Sequence, residues 1–173
     1  MNPLFTIGHS NHPMEAFAGL LRQHLISVVV DVRSVPFSRF YPQYNRERLA
    51  KALEACHVLY AFEGERLGGR IQDRECYLAR QLPQRKVNLA ELVDYEVLVR
   101  RDWFVQGVNH LVERGSTDRI AILCSEEQPE RCHRNLLVAR RLLELGHEVF
   151  HIRGNGNLET ASIRPQAEQM RLL

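Results

Sequence analysis

Apolar positions along this chain alternate between two patterns. Short, near-continuous apolar runs are separated by longer stretches in which apolar side chains recur every three or four residues. The first pattern marks strands buried on both faces, the second amphipathic helices. PLFTIG at 3–8 and ISVVVDV at 26–32 read as the first two strands. VLYAF at 58–62, RIAILC at 119–124 and EVFHI at 148–152 read as three more. A first helix starts near Asn11 to Pro13, with Pro13 suited to its first position and Glu15 to its first turn. Met14, Phe17, Leu21 and Leu25 share its face. A second starts at Asn45, with Leu49, Ala52, Leu53 and Cys56 on one side. Asn88 with Glu91 resembles a capping box opening a long helix. That helix restarts at a bend near Asp102, buries Trp103, Phe104, Val108, Leu111 and Val112, and ends at Gly115. A last helix covers roughly 132–145 and stops at Gly146. The stretch 63–87, with Gly64, Gly68, Gly69 and Pro83, is the least regular. The tail from 153 is expected to be partly mobile.

Strands separated by helices imply βαβ crossovers. The expected fold class is therefore α/β: a three-layer, mostly parallel sheet of about five strands with helices on both faces. Residues 1–173 are expected to form a single α/β domain. In such sheets ligands bind beyond the carboxyl ends of the strands, so the residues that follow each strand are the candidates for chemistry.

Composition narrows the class without naming a function. The chain is 45% hydrophobic and 25% charged, an ordinary globular balance. Its net charge of +2 points to neither nucleic acid nor a membrane surface, so any basic recognition surface would be local. No stretch approaches the roughly 20 apolar residues of a membrane span. The start, MNPLFTIGHS, does not read as a secretory signal, so a cytoplasmic location with reduced thiols is expected. The four cysteines, Cys56, Cys76, Cys124 and Cys132, include no CxxC pair.

Polar residues gather where the topology places the rim. His9 and Ser10 follow the first strand. Asp31 and Arg33 close the second, with Ser38 and Arg39 after them. Glu65, Arg66, Gly68 and Gly69 follow the third, and Cys124, Ser125, Glu126, Cys132, His133 and Arg134 the fourth. His151 lies within the fifth strand, off the rim. CSEEQPERCHR joins a strand to a helix, where free backbone N–H groups attract anions. Arg134, in the first helical turn, calls for a compensating carboxylate such as Glu126 or a bound phosphate. Arg33 and Arg39 are further candidates to hold an anion; FSRFYPQY either stacks bases beside Arg39 or packs its own aromatics. His9, Asp31 and Glu126 are candidate proton-transfer groups, with a structural Asp31–Arg33 ion pair as the alternative. Gly68 and Gly69 lack a nucleotide-loop context and mark a tight backbone approach or hinge.

For Cys124 the apolar strand context favours a buried structural cysteine; for Cys132 a reactive thiolate and a core residue stay open. A metal set of His9, Cys124, Cys132 and His133 would suit zinc, but the gap between the cysteines is not a standard spacing. No metal and no cofactor is therefore assigned.

TIGHS at 6–10, VVDVRSVPFSR at 29–39, LGG at 67–69, LCSEEQPERCHR at 123–134 and EVFHI at 148–152 together resemble, in order, the domain of unknown function 488 family. The resemblance implies site positions at these motifs and no settled activity. RGNGNLE in the tail departs from it by lacking a histidine found in many members. The DVR ending of strand two also resembles rhodanese domains, but Glu126, Glu127 and Glu130 would repel an anionic sulfur donor.

Three functions follow as expectations. The first is an enzyme, a hydrolase or transferase, acting on a phosphorylated or nucleotide-like anionic substrate. The second is a non-catalytic module for nucleic acid or another anion. The third is a thiol- or metal-dependent protein built on Cys124, Cys132 and His133. A membrane partner is not expected, and the oligomeric state is not legible.

Overall fold

The computed structural model of the chain describes residues 2–83 and 88–163. Its centre is one sheet of six strands in the order β3-β2-β4-β1-β5-β6. These are β1 (Leu4–Gly8), β2 (Val28–Asp31), β3 (Leu59–Phe62), β4 (Ile120–Cys124), β5 (Val149–Ile152) and β6 (Leu158–Thr160). The first five pair in parallel, and only β6 runs antiparallel, against β5. The expected mostly parallel α/β sheet is thus what the chain forms. The expected count of about five rises to six because the segment after 153 turns back: the Arg153 N–H donates to the Asn157 carbonyl and closes a hairpin. An antiparallel strand needs only such a turn, whereas a parallel one needs a crossover.

Strand side chains alternate between two apolar layers. Phe5, Ile7, Val29, Ala121 and Leu123 face α1 (Met14–Gln23) and α2 (Arg46–Glu54). On the opposite face, Leu4, Val28, Val30, Ile120 and Ile122 pack with residues of the elements between 64 and 142. There lie α3 (Gly64–Leu67), α4 (Tyr95–Leu98), α5 (Asp102–Thr117) and α6 (Arg140–Glu144). Helix α5 does not stop at Gly115 as expected but runs to Thr117. The glycine instead lets the helix settle on β1, since a Cβ there would lie 2.3 Å from Leu4 Cδ2.

Three helix expectations need correction. Leu25 does not extend the buried face of α1: it is 76% exposed at φ +54, beyond the helix end. The long helix from Asn88 is broken into pieces. Asn88 makes no cap; its amide donates to Glu91 Oε1 and to the Arg131 carbonyl. A 3₁₀ turn, Leu89–Leu92, follows. Val93 then bridges Tyr77, and the Asp94 carboxylate caps α4 by accepting from the Val97 N–H. Pairing Val93 with Tyr77 needs an extended backbone, and that tertiary contact overrides local helix propensity. The helix expected over 132–145 opens with a π-helical stretch, Arg134–Ala139, all six side chains of which are buried, before α6. Residues 84–87 of the irregular stretch and the tail from 164 onward lie outside the described residues.

Candidate functional site

The site lies at the carboxyl ends of β2, β4 and β1, which are neighbours in the sheet. The exits of β1 and β4 are tied together: the His9 N–H donates to the Cys124 carbonyl at 3.0 Å, and the Ser10 N–H to the Ser125 carbonyl at 2.9 Å. The loop after β4 then folds directly over Gly8, where a Cβ would lie 1.9 Å from the Glu126 carbonyl oxygen. Only glycine permits that approach.

Beneath the rim, Asp31 and Arg33 form a buried, bidentate ion pair, with Nε to Oδ1 at 2.9 Å and Nη2 to Oδ2 at 2.6 Å. The Arg33 guanidinium also donates to the Tyr44 carbonyl and to His9 Nε2, and the Tyr60 hydroxyl donates to Asp31 Oδ2. His9 donates through Nδ1 to the Ser10 carbonyl and stacks on the Tyr44 ring at 4.1 Å. Both its ring nitrogens are therefore in use, which fixes the neutral tautomer. Burial, with the neighbouring Arg33 cation adding to it, holds its pKa down to about 4. In this arrangement His9 and Asp31 orient Arg33, rather than standing free to exchange protons with a ligand.

Arg134 also differs from its expected use. It is fully buried and turned inward, donating to the main-chain carbonyls of Glu126 and Glu127 and to Thr6 Oγ1. Thr6 donates to His151 Nδ1 at 2.7 Å, and His151 Nε2 donates to Asn135 Oδ1. Burial keeps His151 neutral, with a pKa down to about 4. This chain of bonds shapes the loop from within, leaving Arg134 no free face toward a ligand. Sequence reasoning noticed His151 but not Thr6, Asn135, Tyr44 or Tyr60. Their polar groups lie in apolar surroundings, and a buried polar group without a local partner was the available signal.

Cys124, Cys132 and His133 meet where β4 and the π-helical stretch converge. Cys124 Sγ lies 3.6 Å and Cys132 Sγ 4.0 Å from His133 Nδ1. His133 Nε2 donates to the Val32 carbonyl at 3.0 Å. The Cys132 thiol beside it, with His133 and Arg134, holds the Cys124 thiol well below the usual range. Burial pushes Cys132 well up, as does the adjacent Cys124 sulfur. Burial pulls His133 down, but the Cys124 sulfur outweighs it and the ring's pKa rises. The three groups thus shift one another, and the low-lying thiol of the two is that of Cys124.

Two adjoining cavities open above these groups, of about 880 and 490 Å³. Arg33, Ser125, Glu126 and Gln128 line both. The larger reaches Cys132 and His133, with Gly69, Arg70 and Arg131 on its walls. The smaller reaches His9 and Ser10, with Phe37, Phe40 and Tyr41. Arg39 is exposed and lines neither. Gly68 and Gly69 sit at close approaches, one of the two readings open from the sequence. A Cβ on Gly68 would lie 2.3 Å from Ser34 Oγ, and one on Gly69 2.8 Å from His133 Cγ.

Gly69→Ala is therefore expected to cost about 1–3 kcal/mol by overpacking against His133. Gly19→Ala, on α1 with nothing within 4 Å, should instead stabilise by roughly 0.5–1 kcal/mol. Thermal melts of the two variants read the contrast, and equal shifts would refute this account of Gly69.

No helix among the described residues is long and apolar enough to cross a membrane. Comparison with curated proteins and with solved structures found no match. A family match covers residues 13–141, which include the DVR and CHR segments that build this site. The chain belongs to the family described as Domain of unknown function DUF488.

Proposed function

We propose that the protein is an enzyme, a hydrolase or transferase, acting on an anionic, phosphorylated or nucleotide-like substrate held across the two cavities. The observation that supports this reading is their shared wall, in which Arg33, Ser125, Glu126 and Gln128 face both spaces. Phe37 and Phe40, 67% and 84% exposed, offer flat apolar faces on which a base can stack. Arg70 and Arg131, at the larger cavity, supply cations for phosphoryl oxygens. Arg33, held by Asp31 and His9, adds a donor of fixed direction at the junction. Glu126 is exposed on both walls and is the group placed to move a proton.

Nucleoside mono- and diphosphates and inorganic phosphate, titrated by calorimetry, test the reading. Nucleotides should bind, and Phe40→Ala should weaken them by roughly tenfold, the order of one lost stacking contact. Arg70→Ala should weaken inorganic phosphate as well. Glu126→Gln should retain binding but lose turnover by about 10²–10⁴-fold. A protein that binds none of these anions, or a Glu126→Gln variant with undiminished turnover, refutes the proposal.

A further inference from the structure

Two thiols and one imidazole sit closer together than any use made of them so far requires. Cys124 Sγ, Cys132 Sγ and His133 Nδ1 all lie within 4.8 Å of one another, with 3.6 and 4.0 Å from the two sulfurs to the nitrogen. In a tetrahedral zinc site, Zn–S bonds of about 2.3 Å and a Zn–N bond of about 2.0–2.1 Å place sulfur and nitrogen roughly 3.6 Å apart. The Cys124 distance of 3.6 Å matches that separation, the Cys132 distance of 4.0 Å lies 0.4 Å beyond it, and the two sulfurs are within 4.8 Å of each other.

Two further observations point the same way. The Nε2–H of His133 is spent on the Val32 carbonyl, so Nδ1 presents a lone pair to both sulfurs. A backbone carbonyl on the far nitrogen is the usual device that fixes a metal-binding imidazole. Cys132 and His133 also line the cavity of about 880 Å³, so one side of the trio faces a space that water or a ligand can enter. Three protein ligands and one open position are the pattern of a catalytic zinc centre rather than a structural one. His9 is not a fourth ligand, because Arg33 and the Ser10 carbonyl occupy its ring nitrogens.

We infer that Cys124 Sγ, Cys132 Sγ and His133 Nδ1 form a binding site for a soft divalent cation, zinc above all, with the fourth position turned toward the larger cavity. Charge balance suits the burial of the trio. Two thiols and a neutral imidazole release two protons as the dication binds, and the site stays neutral overall. Two thiolates with one imidazole select zinc over magnesium or calcium, which prefer oxygen ligands. The inference goes beyond the proposed function and needs no assumption about substrate.

The test uses the full chain, purified under reducing conditions, with Zn(II) and Co(II) as probes. Elemental analysis should find stoichiometric zinc. Cobalt should give a thiolate charge-transfer band in the near ultraviolet and visible bands of tetrahedral intensity. X-ray absorption on the wild-type zinc form should show two sulfur neighbours at about 2.3 Å. Cys132→Ser and His133→Asn should each weaken zinc by roughly 100-fold or more, and Cys56→Ser should leave affinity unchanged. If those variants fail to fold, the wild-type absorption spectrum decides alone. A reduced, folded wild type that takes up neither metal, or a zinc shell without sulfur, overturns the inference. Nucleotide titration of the same zinc-loaded protein separates the two claims: failure to bind nucleotide counts against the proposed substrate and leaves the metal site standing.

Discussion

Between pH 6.5 and about 4 the protein is expected to lose on the order of 6 kcal/mol of stability, roughly 3 from each of two buried histidines. Both have folded-state pKa values depressed to about 4 from an ordinary 6.5. In this window the unfolded chain binds protons that the folded chain refuses, so stability rises with pH and falls as acid is added. The loss sets in as the pH falls past about 6.5 and levels off only below about 4, once the folded state takes up the protons as well.

The hydrogen bonds explain the refusal. His9 Nε2 accepts from the Arg33 guanidinium, so a proton there would point at a cation; Asp31, Cys124 and the Tyr44 ring are its other neighbours. His151 Nδ1 accepts from Thr6, whose oxygen already accepts from Arg134, and Arg153 adds a further cation nearby. Urea midpoints from pH 7 to 4.5 measure the loss. Proton uptake on unfolding near pH 5 should approach two per chain, and an uptake near zero would defeat the explanation.

Asp31→Ala is expected to cost about 3–5 kcal/mol, the penalty for stranding one member of a buried ion pair. Asp31 is fully buried and Arg33 only 5% exposed, so the abandoned guanidinium cannot turn to water. The Tyr60 hydroxyl loses its acceptor too. At roughly 2–4 °C per kcal/mol for a chain of this size, Tm should fall by about 10 °C. Asp118→Ala breaks the Arg114–Asp118 pair, whose side chains are 42% and 30% exposed, and should shift stability by less than about 1 kcal/mol. Thermal melts of the two variants provide the comparison. Equal, small losses would mean that the Asp31–Arg33 pair does not hold the rim together.

Four of the five parallel strands were legible because runs such as ISVVVDV state their burial in residue type alone, whereas β3 is an apolar run that the fold leaves at the sheet edge with Leu59 exposed. The sixth was not, since Leu158, Glu159 and Thr160 are exposed edge residues with no apolar signature. The break near Val93 was equally hidden, because it depends on Tyr77, sixteen positions earlier. At the site, DVR and CHR were visible as chemistry placed at strand ends. Their surroundings were not: a guanidinium reads the same whether it lines a cavity, as Arg33 does, or turns to the interior, as Arg134 does.

Strand identity, the parallel class and the set of polar residues delivered to one rim were determined by the sequence itself, because side-chain period and residue type are local properties. Only the tertiary structure decided which of those residues would touch. The 3.1 Å from Arg33 to His9, the 3.6 Å from Cys124 to His133 and the inward turn of Arg134 join residues distant along the chain or set by a fold of the loop over Gly8. Such distances arise from the packing of whole elements, and no local pattern encodes them.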